Sequence, residues 1–235
     1  MALPKLNNNP KYKCTVPSSK EVVTYRPYLV KEEKVLMIAF ETGDQKQALG
    51  AIVDTLDACI DGDQNVGDLT TFDVEYLFTQ IRSKSVGETS KILVPCGACN
   101  HKNEVSVNLA DIEVKFKEDF TDKVQITDEI SIEMKYPTYS QVINMDFEGD
   151  QTAMGMDILC NSISAIMTEE ERTDCKDIKQ EEIQEFLDSM TSEQFGKLSA
   201  FVETLPSLEK DLKVPCESCG ETIERTLKGI SDFLS

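Results

Sequence analysis

Eight cysteines stand in a chain that has a single histidine, and four of them are spaced for metal chemistry. Cys96 and Cys99 lie in Val94-Pro95-Cys96-Gly97-Ala98-Cys99-Asn100, and Cys216 and Cys219 in Val214-Pro215-Cys216-Glu217-Ser218-Cys219-Gly220. A two-residue gap lets both thiolates of a pair face one cation while the backbone amides of the turn hydrogen-bond the sulfurs. Asn100 and Gly220 are residue types that tolerate the left-handed backbone such a turn needs. One pair supplies two ligands, whereas a structural zinc takes four. Cys96, Cys99, Cys216 and Cys219 together therefore close a tetrahedral set for Zn2+. Proline before each pair, a turn residue after it and polar strand beyond suit a zinc-ribbon-like clamp. The pairs are 120 residues apart, so the fold has to bring them together.

Other chemistries compete for the same residues. A redox dithiol of the thioredoxin kind opens a helix after a strand, and here strand-like sequence follows each pair. A site that has lost its metal, or cysteines that simply pack, are the remaining readings. Stable disulfides are not expected without export. Cys14, Cys59, Cys160 and Cys175 are isolated; Cys59 and Cys160 fall on apolar helical faces and read as buried small hydrophobes. His101, two residues past Cys99, can replace a thiolate, but with four cysteines at hand it reads as an exposed turn residue. With one histidine there is no Ser-His or Cys-His arrangement, and neither a phosphate-binding nor a dinucleotide-binding glycine loop occurs. The sequence predicts no enzyme.

The elements that must position these cysteines are of two kinds. From Lys31 to Ser85 the period is helical: Ala48, Leu49, Ile52, Val53, Leu56, Cys59 and Ile60 form one apolar face. Val74, Leu77, Phe78 and Ile81 form another, after a Thr70-Thr71 start with Asp73 as a capping-box-like acid. Asp61-Gly62-Asp63-Gln64-Asn65 resembles the start of a calcium loop. It has Val66 and Phe72 where such a loop needs glycine and glutamate, so it reads as an inter-helix turn. Residues 90–134 alternate, as short antiparallel strands with one wet face do. Helical spacing returns after Pro137. One helix is expected along Met156, Leu159, Cys160, Ile163 and Met167, and another along Ile183, Phe186, Leu187 and Met190. A third runs from a Thr191/Gln194 box to Pro206. Thr168 to Glu185 reads as a solvated face or loop.

The expectation is an α+β chain: two helical units, a small antiparallel β region and the clamp. Its divisions are a basic N-terminal arm over 1–30, a helical unit over 31–89, a β region with the first cysteine pair over 90–136, and a helical unit with the second pair over 137–235. The two cysteine pairs each follow an amphipathic helix and a polar linker. Leu109-Ala110-Asp111-Ile112 beyond the first is echoed by Leu227-Lys228-Gly229-Ile230 beyond the second, which suggests an internal pseudo-duplication.

Composition bounds the function. The chain has 235 residues, 40% of them hydrophobic and 29% charged, enough for a sizeable core without wholesale disorder. The net charge of −19 would repel nucleic acid. The longest apolar run, Val35 to Phe40, is far too short to span a membrane. Met1 to Pro10 lacks the apolar core of a secretory leader, so no export is expected. Residues 1–34 carry seven bases against three acids, a net +4 that leaves −23 for the rest. This proline-containing basic arm is expected to lie on its own body or on an acidic neighbour, or to be a tethered extension with no partner; docked on a neighbour, residues 1–24 would contribute little to a core.

The segment Tyr25-Arg26-Pro27-Tyr28-Leu29-Val30-Lys31-Glu32-Glu33-Lys34-Val35-Leu36, with a mid-chain Pro-Cys-x-x-Cys followed by short strands, resembles the baseplate hub proteins of T-even-like contractile-tailed phages. The resemblance is strongest from Tyr25 to Ile112 and again around Tyr136-Pro137-Thr138. It implies a non-enzymatic component made late in infection, assembled in the host cytoplasm and located in the virion tail. Its partners would be other tail and hub proteins in a symmetric, oligomeric assembly. It supplies no ligand set, so the metal expectation rests on the cysteines. The alternative from another class is a cytoplasmic zinc-binding adaptor or regulatory protein, a non-virion assembly chaperone.

Overall fold

The structure, a computed structural model, describes residues 9–117, 121–145 and 151–234. The first eight residues of the basic arm lie outside these. The described part of the arm is an antiparallel hairpin, β1 (Tyr12–Thr15) against β2 (Val22–Tyr25). It lies on its own body. Val16, Val23 and Tyr25 are buried, Tyr25 bridges Ile60, and Lys11 pairs with Asp61 at 2.6 Å. The expectation that this segment adds little to a core is corrected: Val16 and Val23 are inserted, while Val22 stays exposed.

Helix α1 (Val30–Glu41) starts where Glu32 turns its carboxylate back to accept the Leu29 N–H at 2.7 Å. Arg26 donates to the same carboxylate at 2.9 Å and to the Ala58 carbonyl at 2.7 Å. Burial alone would raise the Glu32 pKa, but the Arg26 guanidinium and the Leu29 amide hold it below the usual carboxylate range. The tyrosine and arginine of the Tyr-Arg-Pro lead-in thus clamp the arm to α2 (Gln45–Cys59), whose first turn is capped by Asp44. Asp61 to Asn65 is an inter-helix turn leading into a short 3-10 turn, Val66–Asp68. Helix α3 (Thr71–Ser85) is capped by Thr70, and its Asp73 is fully buried. A hairpin follows, β3 (Thr89–Pro95) against β4 (Lys102–Asn108), both with strictly alternating burial. After a 3-10 turn at Leu109–Asp111 comes β5 (Glu113–Lys115).

The next segment forms its own unit, Phe116–Pro206. Strands β6 (Lys123–Gln125), β7 (Ser131–Met134), β8 (Ile163–Met167) and β9 (Arg172–Asp174) make an antiparallel sheet in that order. It carries α4 (Tyr139–Ile143), α5 (Gln151–Ser162), α6 (Gln180–Asp188) and α7 (Ser192–Val202). Here the helical expectation for Ile163 and Met167 is corrected: α5 stops at Ser162 and these residues are strand β8. The β-branched Ile163 and Ile166 find partners on β7, and pairing outweighs a spacing that fits a helix equally well. The acid-rich stretch after it holds β9 and most of α6 rather than a plain loop. Helix α7 begins with the expected Thr191/Gln194 box. Ile132, Leu159, Ile163, Leu187, Leu198 and Phe201 are central to this unit's core.

The chain then returns to the first unit, Met1–Lys115 with Ser207–Ser235. Strand β10 (Ser207–Pro215) pairs with β11 (Thr222–Lys228) on one side and β5 on the other, and α8 (Gly229–Leu234) ends the fold. Phe72, Leu77, Phe78, Ile81, Leu109 and Phe233 are almost wholly buried in this unit. Ser90 on β3 donates to the Phe233 carbonyl at 2.8 Å, tying the returning C-terminus to the first hairpin. The echoed Leu109/Ile112 and Leu227/Ile230 pairs are all buried. The architecture is α+β. No helix among the described residues is long and apolar enough to cross a membrane.

Candidate metal centre

Each cysteine pair sits at the tip of a hairpin, and the two hairpins are built alike. Pro95 faces Lys102 across the first and Pro215 faces Thr222 across the second. The Cys96 N–H donates to the His101 carbonyl at 2.9 Å and Asn100 N–H to the Cys96 carbonyl at 2.9 Å; Cys216 and Gly220 repeat this with Glu221 and Cys216 at 2.8 and 2.9 Å. The backbone must then turn left-handed, as it does at Asn100 (φ 56°) and Gly220 (φ 75°). In both hairpins the first cysteine is buried and the second exposed. A strand, not a helix, follows each pair, unlike a thioredoxin-type dithiol.

The fold brings all four sulfurs together, within 4.8 Å of one another. Cys96 Sγ lies 3.7 Å from Cys219 Sγ, and Cys99 Sγ lies 3.7 Å from Cys216 Sγ. Four sulfurs bonded at about 2.3 Å to a tetrahedral metal sit about 3.8 Å apart, so the set has the size of a coordination shell before any ion is added. Electrostatics point the same way. The Cys216 thiol is drawn down to about 6, first by the Cys219 backbone N–H and also by that of Ser218. At Cys219 the Glu221 amide works in the same direction, but the neighbouring sulfurs of Cys99, Cys216 and Cys96 outweigh it and push the thiol up to about 12. One thiolate forms easily and the next is resisted. A cation at the centre removes that resistance, and these four cysteines can hold a metal ion.

His101 is exposed and its carbonyl, not its ring, serves the turn. Cys59 and Cys160 are buried as expected, and desolvation pushes both thiols up to about 11. Sequence reasoning missed Asn103. It is buried, its amide donates to the His101 carbonyl at 3.0 Å, and its side-chain oxygen accepts the Glu217 N–H at 2.9 Å, joining one tip to the other. The signal was its parity: Asn103 shares the inward face of β4 with Val105 and Val107, where a polar residue needs a partner.

Also missed was a third tip of the same build. In the β1–β2 hairpin Thr15 faces Val22, Val16 N–H donates to the Glu21 carbonyl at 2.8 Å, and Lys20 N–H to the Val16 carbonyl at 3.0 Å. Lys20 has φ 62°, matching Asn100 and Gly220. Val16, buried, and Ser19, exposed, occupy the cysteine positions. The amide of Ser18 donates to the Asp73 carboxylate at 2.9 Å and its hydroxyl to the other oxygen, where Thr70 Oγ1 also donates at 2.6 Å.

A model of the family described as T4 bacteriophage base plate protein matches residues 9–235, nearly the whole chain. The chain belongs to that family. No curated protein and no solved structure matches it. It is therefore a phage baseplate protein, and the tail of the virion is the place its family implies. The match takes in all three hairpin tips, the Tyr25–Leu36 segment and the second unit alike.

Proposed function

We propose that this baseplate protein is a non-enzymatic structural or assembly subunit of the baseplate hub, made rigid by one Zn2+ on Cys96, Cys99, Cys216 and Cys219. The observation that carries the reading is the four-sulfur cluster: two hairpin tips from distant parts of the chain supply a complete, closed ligand set. A structural site is closed in this way, whereas a catalytic metal keeps a position open for substrate. Zinc suits four thiolates in a tetrahedron, has no redox chemistry of its own and adds its binding energy to the fold. Asn103 and the amides of the tips orient the sulfurs. The acidic surface docks on neighbouring tail proteins by charge complementarity, and the subunit repeats within a symmetric assembly.

Purified tails, examined by mass spectrometry and electron cryomicroscopy, test the location: density for this chain at the hub is expected. Absence from particles, with normal tails after deletion of the gene, would sink the hub reading. Elemental analysis of the purified chain tests the metal separately, with one zinc per chain expected.

A further inference from the structure

Every sulfur of the cluster touches one on the other tip. Cys96 Sγ lies 3.7 Å from Cys219 Sγ and Cys99 Sγ lies 3.7 Å from Cys216 Sγ, so both contacts cross between the tips. Each contact joins a buried cysteine to an exposed one: Cys96 and Cys216 are 1% and 3% exposed, whereas Cys99 and Cys219 are open to solvent. Protein hydrogen bonds hold this approach in place. The Asn103 amide donates to the Val94 and His101 carbonyls of the first hairpin at 3.3 and 3.0 Å, and its oxygen accepts the Glu217 N–H of the second at 2.9 Å. Glu217 follows Cys216 directly, so the bridge ends beside the buried sulfur that meets Cys99.

Thiolates this close are relieved by a cation, or by oxidation in pairs. An exposed thiol in contact with a buried one is also the couple that thiol–disulfide exchange uses: the exposed sulfur is reached first and the buried one resolves. We propose that a small-molecule disulfide converts this cluster into two cross-tip disulfides, Cys96–Cys219 and Cys99–Cys216, which keep the tips joined once the ion has left. The inference deepens the reading of these cysteines as a metal clamp, and it fails separately from it. The Cys219 thiolate attacks the small disulfide, forms a mixed disulfide and expels one small thiolate. Cys96 then attacks the Cys219 sulfur, closing the protein disulfide and expelling the second. The chain loses two electrons, the small disulfide gains them, and each expelled thiolate takes up a proton. Cys99 and Cys216 repeat the sequence, so two small disulfides are consumed and four small thiols appear. The tail of a free virion stands in an oxidising medium, where disulfides persist.

The purified full chain, treated with excess oxidised glutathione, alkylated and digested, should give peptides linked Cys96–Cys219 and Cys99–Cys216 by mass spectrometry. On a non-reducing denaturing gel the product should run ahead of the reduced chain. Links that span 123 and 117 residues compact an unfolded chain, whereas links inside a Cys-x-x-Cys pair close loops too short to do so. Cys219→Ser should lose the Cys96 link and keep Cys99–Cys216. Links within a pair as the main product, lasting glutathione adducts without links, or four thiols left free would each overturn the proposal. Zinc freed into a colorimetric chelator is read on the same sample. Cross-tip links in a chain that never carried zinc uphold the disulfides and remove the zinc reading. One zinc released per chain with links only inside the pairs upholds the zinc reading and overturns the proposal.

Discussion

The hairpin tip at Val16–Lys20 and the tips at Cys96–Asn100 and Cys216–Gly220 share one hydrogen-bond pattern, one register and one left-handed residue, but not one chemistry. At the Cys216–Gly220 tip the Ser218 amide bonds the Cys216 sulfur, and at the Val16–Lys20 tip its counterpart Ser18 bonds the Asp73 carboxylate. The tip backbone gathers amide donors that need an anion, and a carboxylate serves as well as a thiolate. What differs is the task. The N-terminal tip docks on the first turn of α3, whose Asp73 is fixed in place by Thr70. The cysteine tips are held to each other, and thiolates that close together need a cation between them. On the proposed reading two mechanisms clamp the same local structure, one through a metal at the cysteine tips and one through Asp73 without a metal.

The largest way to break the comparison is to remove a thiolate. Cys96→Ser and Cys216→Ser should each abolish tight metal binding to a similar degree, since the remaining ligands come from both tips. The loss should lower stability by about 3–5 kcal/mol, on the order of what other structural staples contribute. Chelator titration followed by calorimetry checks it: the wild-type melt should fall to that of the variants, and the variants should not respond. Full stability with both pairs changed to serine would remove the metal from the account.

A smaller effect is expected at the metal-free tip. Asp73→Ala leaves the Ser18 amide, the Ser18 hydroxyl and the Thr70 hydroxyl without their acceptor at a buried site. The cost should be about 2–3 kcal/mol by denaturant unfolding, with zinc content unchanged. Asp73→Asn should cost less, because one oxygen still accepts. If Asp73→Ala also released metal, the two clamps would not be independent.

Much of this was legible from residue types and spacing, because local rules act on local signals. The Thr191/Gln194 box, the alternation of Val105 and Val107 and the inter-helix turn at Asp61–Asn65 all appear where their patterns place them, while Leu109, expected to continue the strand, opens a 3-10 turn. Cys96, Cys99, Cys216 and Cys219 announced a common site because a pair of thiols is half of something. The N-terminal tip announced nothing: with valine and serine at the cysteine positions, only its backbone register reveals the kinship. Ile163 and Met167 misled because a short apolar run fits helix and strand alike until its partner strand is known. That Ser207–Ser235 packs with the first unit is likewise written in no local period.

Helix α3 offers a control on the role of its acids. Two residues beyond Asp73, Glu75 is pushed from 4.5 up to about 7 by burial, against the lowering effect of the Ile230 amide. An acid whose pKa is raised by folding holds its proton more tightly in the native state. Stability should therefore be greatest below about pH 4.5, fall as pH rises to about 7, and level off above that. Glu75→Gln should flatten this window and stabilise the protein at pH 8 by up to about 2 kcal/mol, because glutamine can still accept from Ile230. A pH slope unchanged by the substitution would place its origin elsewhere.

The smallest effect tests whether the three tips are conformational equals. Lys20, Asn100 and Gly220 occupy one position with φ of 62°, 56° and 75°. A Cβ added at Gly220 meets nothing within 4 Å, so Gly220→Ala has no clash to relieve and its cost is the left-handed backbone alone, about 1 kcal/mol. Asn100→Gly should change stability by only a few tenths of a kcal/mol, because asparagine already tolerates this conformation and glycine's gain is offset by its freer unfolded chain. The ranking matters more than either value. If the tips are the same turn, alanine should cost the same at Gly220 as at Asn100 relative to glycine, with metal bound in both cases. A penalty at Gly220 several times larger, accompanied by metal loss, would mean that the second cysteine tip is strained by its ligands in a way the first is not, and the equivalence drawn from hydrogen bonds would fail at the sulfurs.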